Sequence, residues 1–135
     1  MKLRVNVDGG SRGNPGPAAV GIVIRGAEGQ VIADAAEPIG SATNNVAEYR
    51  ALLRGIELAA QHGATELELY GDSELVVKQI RGEYKVKDPG LKPLHAQARQ
   101  ALSAFSAWSF NHVRRELNAE ADALVNQALD SHMTL

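Results

Sequence analysis

At 135 residues, 44% of them hydrophobic and 22% charged, the chain has the size and balance of one globular domain that can bury a core unaided. It contains no cysteine, which excludes disulfides, thiolate catalysis and cysteine-based zinc sites. A formal net charge of −2 excludes a strongly basic surface, and no apolar run approaches the roughly 18 residues of a membrane span, so a soluble, cytoplasmic protein without a membrane partner is expected.

The opening segment LRVNVD alternates in the strand manner, with Leu3, Val5 and Val7 on one face, and AAVGIVIR and VIADAAEPI follow with strand character of their own. The connections GGSRGNPGP and GAEGQ are Gly-rich and too short for a helical crossover, so these three strands are expected to form an antiparallel meander. From Thr43 the period changes. Ala47, Leu52, Ile56 and Ala59 recur at helical spacing up to Gly63, a C-capping residue. TELELYGD then reads as a fourth strand, SELVVKQIRG as a short helix and LKPLHAQARQALSAF as another. WSFNHV reads as a fifth strand with Trp108 in the core, NAEADALVNQALD as a closing helix, and SHMTL as a frayed tail. The order βββαβααβα predicts one α/β domain over residues 1–135: a five-stranded mixed sheet, three antiparallel strands then two parallel additions, flanked by helices.

Four acids stand out by position. Asp8 and Asp72 fall at the carboxyl ends of the first and fourth strands, where ligands gather in open α/β sheets. Glu48 shares a helical stripe with Leu52, Ile56 and Ala59, and Asp122 one with Val125 and Leu129, so each carboxylate sits where an apolar residue belongs. Taken singly, such acids are more often turn, cap or surface residues. Taken together, four clustered carboxylates repel one another unless cations share the site. Oxygen donors without cysteine or clustered histidine favour Mg²⁺ or Mn²⁺ over zinc. Two such ions about 4 Å apart can direct a water at a phosphodiester and stabilise the leaving oxygen. If four of the 16 acids serve the metals, 14 basic residues face 12 acidic ones, a mildly cationic surface with modest, salt-sensitive affinity for a polyanion.

Four segments, DGGSRGNPGPAA from Asp8, TNNVAEYRAL from Thr43, DSELVV from Asp72 and HVRRELNAEADALVNQA from His112, together resemble the type 1 ribonuclease H family over nearly the whole chain. The resemblance implies a ribonuclease H-like fold, two Mg²⁺ ions with Mn²⁺ as a substitute, and Asp8, Glu48, Asp72 and Asp122 as the catalytic, metal-binding acids, with Asp8 bridging both ions. It implies cleavage of the RNA strand of an RNA–DNA hybrid by a monomer, leaving 5′-phosphate and 3′-hydroxyl ends. Gly9, Asn14, Thr43, Asn44, Asn45, Ser73 and Arg115 become substrate-binding positions. The amides of Asn14, Asn44 and Asn45 are placed against the minor groove of the hybrid, where they can pair with the 2′-hydroxyls that distinguish RNA from DNA. Asn14 also suits the Asn-Pro-Gly turn, Thr43 and Asn44 suit a helix N-cap, and Ser73 suits the cap of the next helix.

Two departures from the family pattern matter. His112 has the offset of a histidine that assists proton transfer in bacterial members, yet WSFNHV fixes it in a strand instead of a mobile loop. Arg115 matches an arginine of a shorter subgroup with endings Val-x-Arg-x-x-Asn, and a cation there steadies phosphate charge without moving protons. The stretch GEYKVKDPGLK, residues 82–92, is too short for the basic protrusion that grips the DNA strand in bacterial relatives, and Tyr84, Lys85 and Lys87 form at most a reduced substitute. Its loss implies looser selectivity, including cleavage of double-stranded RNA. The competing readings are a catalytically silent hybrid-binding module, another nuclease or transferase on the same fold such as a resolvase or integrase, and a purely structural partner domain.

Overall fold

The computed structural model describes residues 1–133, with side chains through Ser131. Strands β1 (Lys2–Ser11), β2 (Gly16–Arg25) and β3 (Val31–Ala42) form the expected antiparallel meander. Helix α1 (Asn44–Gln61) crosses over to β4 (Glu66–Gly71), which pairs parallel with β1; α2 (Glu74–Ile80) and α3 (Lys92–Leu102) lead to β5 (Ala107–His112), parallel to β4. A 3-10 turn (Arg115–Asn118) precedes α4 (Ala119–Met133). The sheet order is β3-β2-β1-β4-β5, the five-stranded mixed α/β arrangement expected from the element order. No helix among the described residues is long and apolar enough to cross a membrane.

The strand period sorts the side chains onto two faces. Leu3, Val5 and Val7 of β1 and Val20, Ile22 and Ile24 of β2 face α1, α2 and α3 and build the main core with Leu52, Ile56, Val77, Ile80 and Leu102. Each fully buried aliphatic contributes about 1.5–3 kcal/mol, so this face carries most of the stability. Trp108 joins its edge, half-buried, with the Arg99 guanidinium 5.6 Å from its ring centre. The opposite face is thinner: α4 covers Ala19 and Ala36 with Val125, Ala128 and Leu129.

The structure corrects four local expectations. Strand β1 does not end at Asp8 but runs to Ser11, because antiparallel pairing with β2 persists to Ser11↔Ala18 after parallel pairing with β4 stops at Asn6↔Tyr70. The true hairpin turn is the short stretch 12–15, closed by Arg12 N–H donating to the Pro17 carbonyl at 2.8 Å. Asn118 belongs to the 3-10 turn and not to the closing helix. Helix α4 continues through Met133, into the segment expected to fray; Thr134 and Leu135 lie outside the described residues.

Gly21 decides how closely α4 can lie on the sheet. It sits opposite Asp8 in the β1–β2 register, and a Cβ there falls 2.2 Å from the Ala121 carbonyl oxygen, next to Asp122. Gly21→Ala is expected to lift the first turn of α4 and to destabilise the domain by about 1–3 kcal/mol, read as a lower denaturation midpoint. A midpoint equal to that of the parent would show that α4 does not depend on this close approach.

Candidate metal and nucleic-acid site

The parting of β1 from β4 creates the site. Past Asn6↔Tyr70 the two parallel strands no longer pair, and Asp8 on β1 and Asp72 just beyond β4 stand at the mouth of the fork. Glu48 comes from the first turns of α1 on one face of the sheet, and Asp122 from the first turn of α4 on the other. Carboxylate oxygens of Asp8, Glu48 and Asp72 all lie within 4.8 Å of one another. Asp122 lines the same cavity of about 370 Å³, and its proximity is among the causes that raise the Asp8 pKa. The structure thus brings the whole expected quartet together, with three acids tight and the fourth at the margin.

Gly9 makes the closest approach possible. A Cβ at that position would fall 2.1 Å from the Ala47 carbonyl oxygen, so only glycine lets β1 press against α1 there. Its backbone N–H donates to Glu48 Oε1 at 3.0 Å, which fixes the glutamate beside Asp8.

Burial and crowding act in the same direction on the pair. Desolvation is the largest influence on Asp8 and raises its pKa to about 7, with the charges of Asp72 and Asp122 adding to the rise and a hydrogen bond from Glu48 opposing it. Glu48 is also pushed well above the usual carboxylate range, first by burial, then by the charge of Asp8 and their shared hydrogen bond, against a lowering by Gly9 N–H. Without a cation the two carboxyls share a proton. Among the described residues the cluster contains only carboxylate oxygens, and the exposed Arg115 stands 3.9 Å from Asp122. That donor set fits hard divalent cations.

Amide and hydroxyl groups extend the site along one side. Thr43 caps α1, its Oγ1 accepting from Val46 N–H at 3.2 Å. Asn14 Oδ1 accepts from Asn44 N–H at 3.0 Å, and Asn44 Oδ1 from Ser11 N–H at 2.9 Å. Backbone donors engage both amide oxygens, which leaves the NH₂ groups as the donors of these side chains. Asn44, Asn45, Gly9, Ser73 and Arg115 line the acid cavity together with Ser11 and Arg12, while Asn14 stands behind Asn44. Ser73 caps α2, accepting from Val76 N–H at 3.3 Å.

His112 ends β5, exposed, and lies outside the lining of the acid cavity. Val113 extends the pairing by one bond from its N–H to the Gly71 carbonyl at 3.0 Å, so the histidine is anchored in the sheet. The connection 81–91 carries no helix. Tyr84 in it is partly covered by Lys78, whose Nζ sits 5.1 Å from the ring centre, while Lys85 and Lys87 are exposed.

Sequence reasoning gave no role to Asn118, although it closes the Val-x-Arg-x-x-Asn pattern. It is 2% exposed; its Nδ2 donates to the Val7 carbonyl at 2.9 Å and to Asp72 Oδ2 at 3.0 Å. Asn6 Nδ2 donates to its Oδ1 at 2.9 Å. Besides that pattern, the sequence signal was a polar residue one helical turn before Asp122.

A family model described as reverse transcriptase-like matches residues 6–128. The chain is 50% identical over 129 residues to Ribonuclease HI of Halobacterium salinarum, covering 96% of this chain and 65% of that protein. The chain belongs to the type 1 ribonuclease H family. The crystal structure of RNase H1 from Halobacterium salinarum superposes with a TM-score of 0.95 at 47% identity, covering 97% of this chain and 99% of that one. LC11-RNase H1, solved in complex with an RNA/DNA hybrid, superposes at 0.92 with 42% identity over 97% of this chain and 99% of that one. Against whole curated relatives the span is shorter: about two thirds of the archaeal protein, and 36% of a bifunctional protein of Mycobacterium tuberculosis.

The raised pKa values fix a sign for this ribonuclease H domain. A carboxyl whose folded pKa exceeds its unfolded value near 4 keeps its proton in the native state, so its contribution to stability falls as pH rises from about 4 through about 7. In chelator, the melting temperature is expected to decline over that range. Asp8→Asn should flatten the decline and melt higher than the parent at pH 8, while Mg²⁺ should stabilise the parent more than the variant. Parallel pH profiles for the two proteins would contradict the shared-proton account.

Proposed function

We propose that this domain hydrolyses the RNA strand of RNA–DNA hybrids, leaving 5′-phosphate and 3′-hydroxyl ends. The observation that carries the reading is the convergence of Asp8, Glu48 and Asp72 within 4.8 Å, with Asp122 beside them, at the edge of an amide-lined cavity. It is supported by the likeness to a relative solved with an RNA/DNA hybrid. The four acids would hold the divalent cations of a two-metal centre, Mg²⁺ with Mn²⁺ as substitute, with Asp8 at the middle of the cluster. Cations bound there would supply Lewis-acid activation of water and stabilisation of negative charge on the leaving 3′-oxygen.

The chain's own groups do the rest. Glu48, held by Gly9 N–H, and Asp72, held by the Asn118 amide, keep their carboxylates fixed before the substrate arrives. The NH₂ groups of Asn14 and Asn44, whose oxygens are engaged by the backbone, donate with Asn45 to minor-groove acceptors and 2′-oxygens, which ranks hybrids above duplex DNA. Thr43 and Ser73 sit at helix N-termini suited to backbone phosphates. Arg115, at the cavity rim beside Asp122, steadies phosphate charge, and His112, outside the lining, has the lesser part.

With no helix in the connection 81–91, the DNA strand is held more weakly than by a protrusion, and double-stranded RNA is a slower second substrate. One chain supplies all four acids, so a monomer suffices. The cysteine-free composition fits a cytoplasmic setting.

The test is cleavage of labelled RNA–DNA, RNA–RNA and DNA–DNA duplexes in Mg²⁺ and in Mn²⁺. The expected order is hybrid first, RNA duplex slower and DNA duplex uncut. Asp8→Asn and Asp72→Asn should each lower the hybrid rate by about 10³-fold. Hybrid binding without cleavage under every metal condition would favour the silent binding module, and near-parental activity of Asp8→Asn would remove the metal-centred reading. Arg115→Ala should reduce kcat by about tenfold and His112→Ala by no more than about threefold; the reverse ranking would return the proton-transfer role to His112.

A further inference from the structure

We infer that Asn118 is a positioning residue for the metal centre, a neutral wedge that sets the distance between the strand carrying Asp8 and the strand end carrying Asp72. The inference rests on the metal-binding reading of the four acids.

Where the β1–β4 ladder stops at Asn6↔Tyr70, the β1 backbone continues, and its Val7 carbonyl needs a partner on the side that β4 has left. Asn118 supplies one hydrogen to Val7 and the other to Asp72 Oδ2, so a single NH₂ group spans the fork. The amide orientation is forced, because a carbonyl and a carboxylate oxygen both only accept. Asn6, two residues before Asp8 on the same strand face, donates to Oδ1 and locks the amide plane. Asn118 also stands one helical turn before Asp122, so displacement of the wedge moves the start of α4 as well.

The choice of an amide follows from charge. An Arg or Lys in the fork would bond Asp72 as firmly, but its positive charge would compete with a cation for the carboxylate. An aspartate would set a third anion against Asp72 and a lone pair against the Val7 carbonyl. The asparagine donates twice and leaves the negative charge of Asp72 available. A residue that merely closed the 3-10 turn would have no need of the bond to Asp72.

The test is a calorimetric Mn²⁺ titration of the parent, Asn118→Asp and Asn118→Ala, with circular dichroism to confirm folding. Leu102→Ala, a core change in α3 away from the acids, controls for lowered stability. Both Asn118 variants are expected to bind Mn²⁺ at least about tenfold more weakly, and Leu102→Ala to bind as the parent does. With the hybrid as substrate at limiting Mg²⁺, kcat should fall while KM stays within about twofold, and excess Mg²⁺ should restore kcat in Asn118→Ala. If Asn118→Asp does not fold, Asn118→Ser takes its place, since its hydroxyl can donate to one partner but not both, and an intermediate loss is expected. Folded variants with parental Mn²⁺ affinity overturn the inference, as does a parent that binds no Mn²⁺. A parent that binds Mn²⁺ but cuts no hybrid removes the nuclease reading and leaves the metal comparison standing.

Discussion

The structure depends on holding several negative charges together where water is scarce. Each carboxylate brought to the fork loses hydration and gains a like-charged neighbour, so the fold must supply the geometry that the charges oppose. It does so with backbone and neutral amides in place of cations. Gly9 lets β1 close on α1 until its N–H reaches Glu48, and Asn118 bridges Val7 to Asp72. Neutral donors leave the cluster's charge intact, which raises the proton affinity of Asp8 and Glu48 and suits the cluster to divalent cations.

Rigidity behind the acids comes from a buried polar chain next to Glu48. Tyr49 follows it in α1 and is fully buried; its hydroxyl donates to Gln79 Oε1 of α2 at 2.6 Å. Burial pushes that phenol up to about 12, so it remains a donor at any working pH. His95 of α3 meets the Gln79 carbonyl at 3.0 Å and packs edge-on to Tyr49. Three helices are therefore pinned at one point behind the acid-bearing turn of α1. A site built on such elements loses little free energy in ordering when a ligand arrives.

How much of this the sequence disclosed follows from the range of each interaction. The strand period, the short Gly-rich connections and the helical crossover are local, and they specified the strand directions, while the order β3-β2-β1-β4-β5 came from the structure. Glu48 and Asp122 were visible because a charge on an apolar stripe is a local contradiction. The run of β1 past Asp8 was not, since GGS carries no alternation and its strand state is imposed by β2. Nor was Asn118, whose bond to Val7 spans 111 positions and whose neighbours RELN look like an ordinary turn. The approach at Gly9 links residues 39 positions apart, and nothing in DGGS distinguishes the glycine that touches α1 from the one beside it.

The formal charge shows the same limit at the level of the whole molecule. A total of −2 argues against a polyanion partner only if every acid faces the solvent, and here Asp8 is buried and Glu48 and Asp72 are half-buried at one spot. Once cations compensate that spot, attraction to phosphate is local to the cavity and to Arg115 at its rim, and the rest of the surface stays close to neutral. On the proposed function, recognition then comes from shape and from donors such as Asn14 and Asn44, whose oxygens the backbone has already taken. A donor array selects for acceptor atoms at fixed spacing along a groove, a property of duplex geometry and of the 2′-oxygen and not of base sequence. On the proposed function, weak long-range attraction combined with a rigid, donor-lined centre suits a nuclease that reads the kind of duplex and is indifferent to its code.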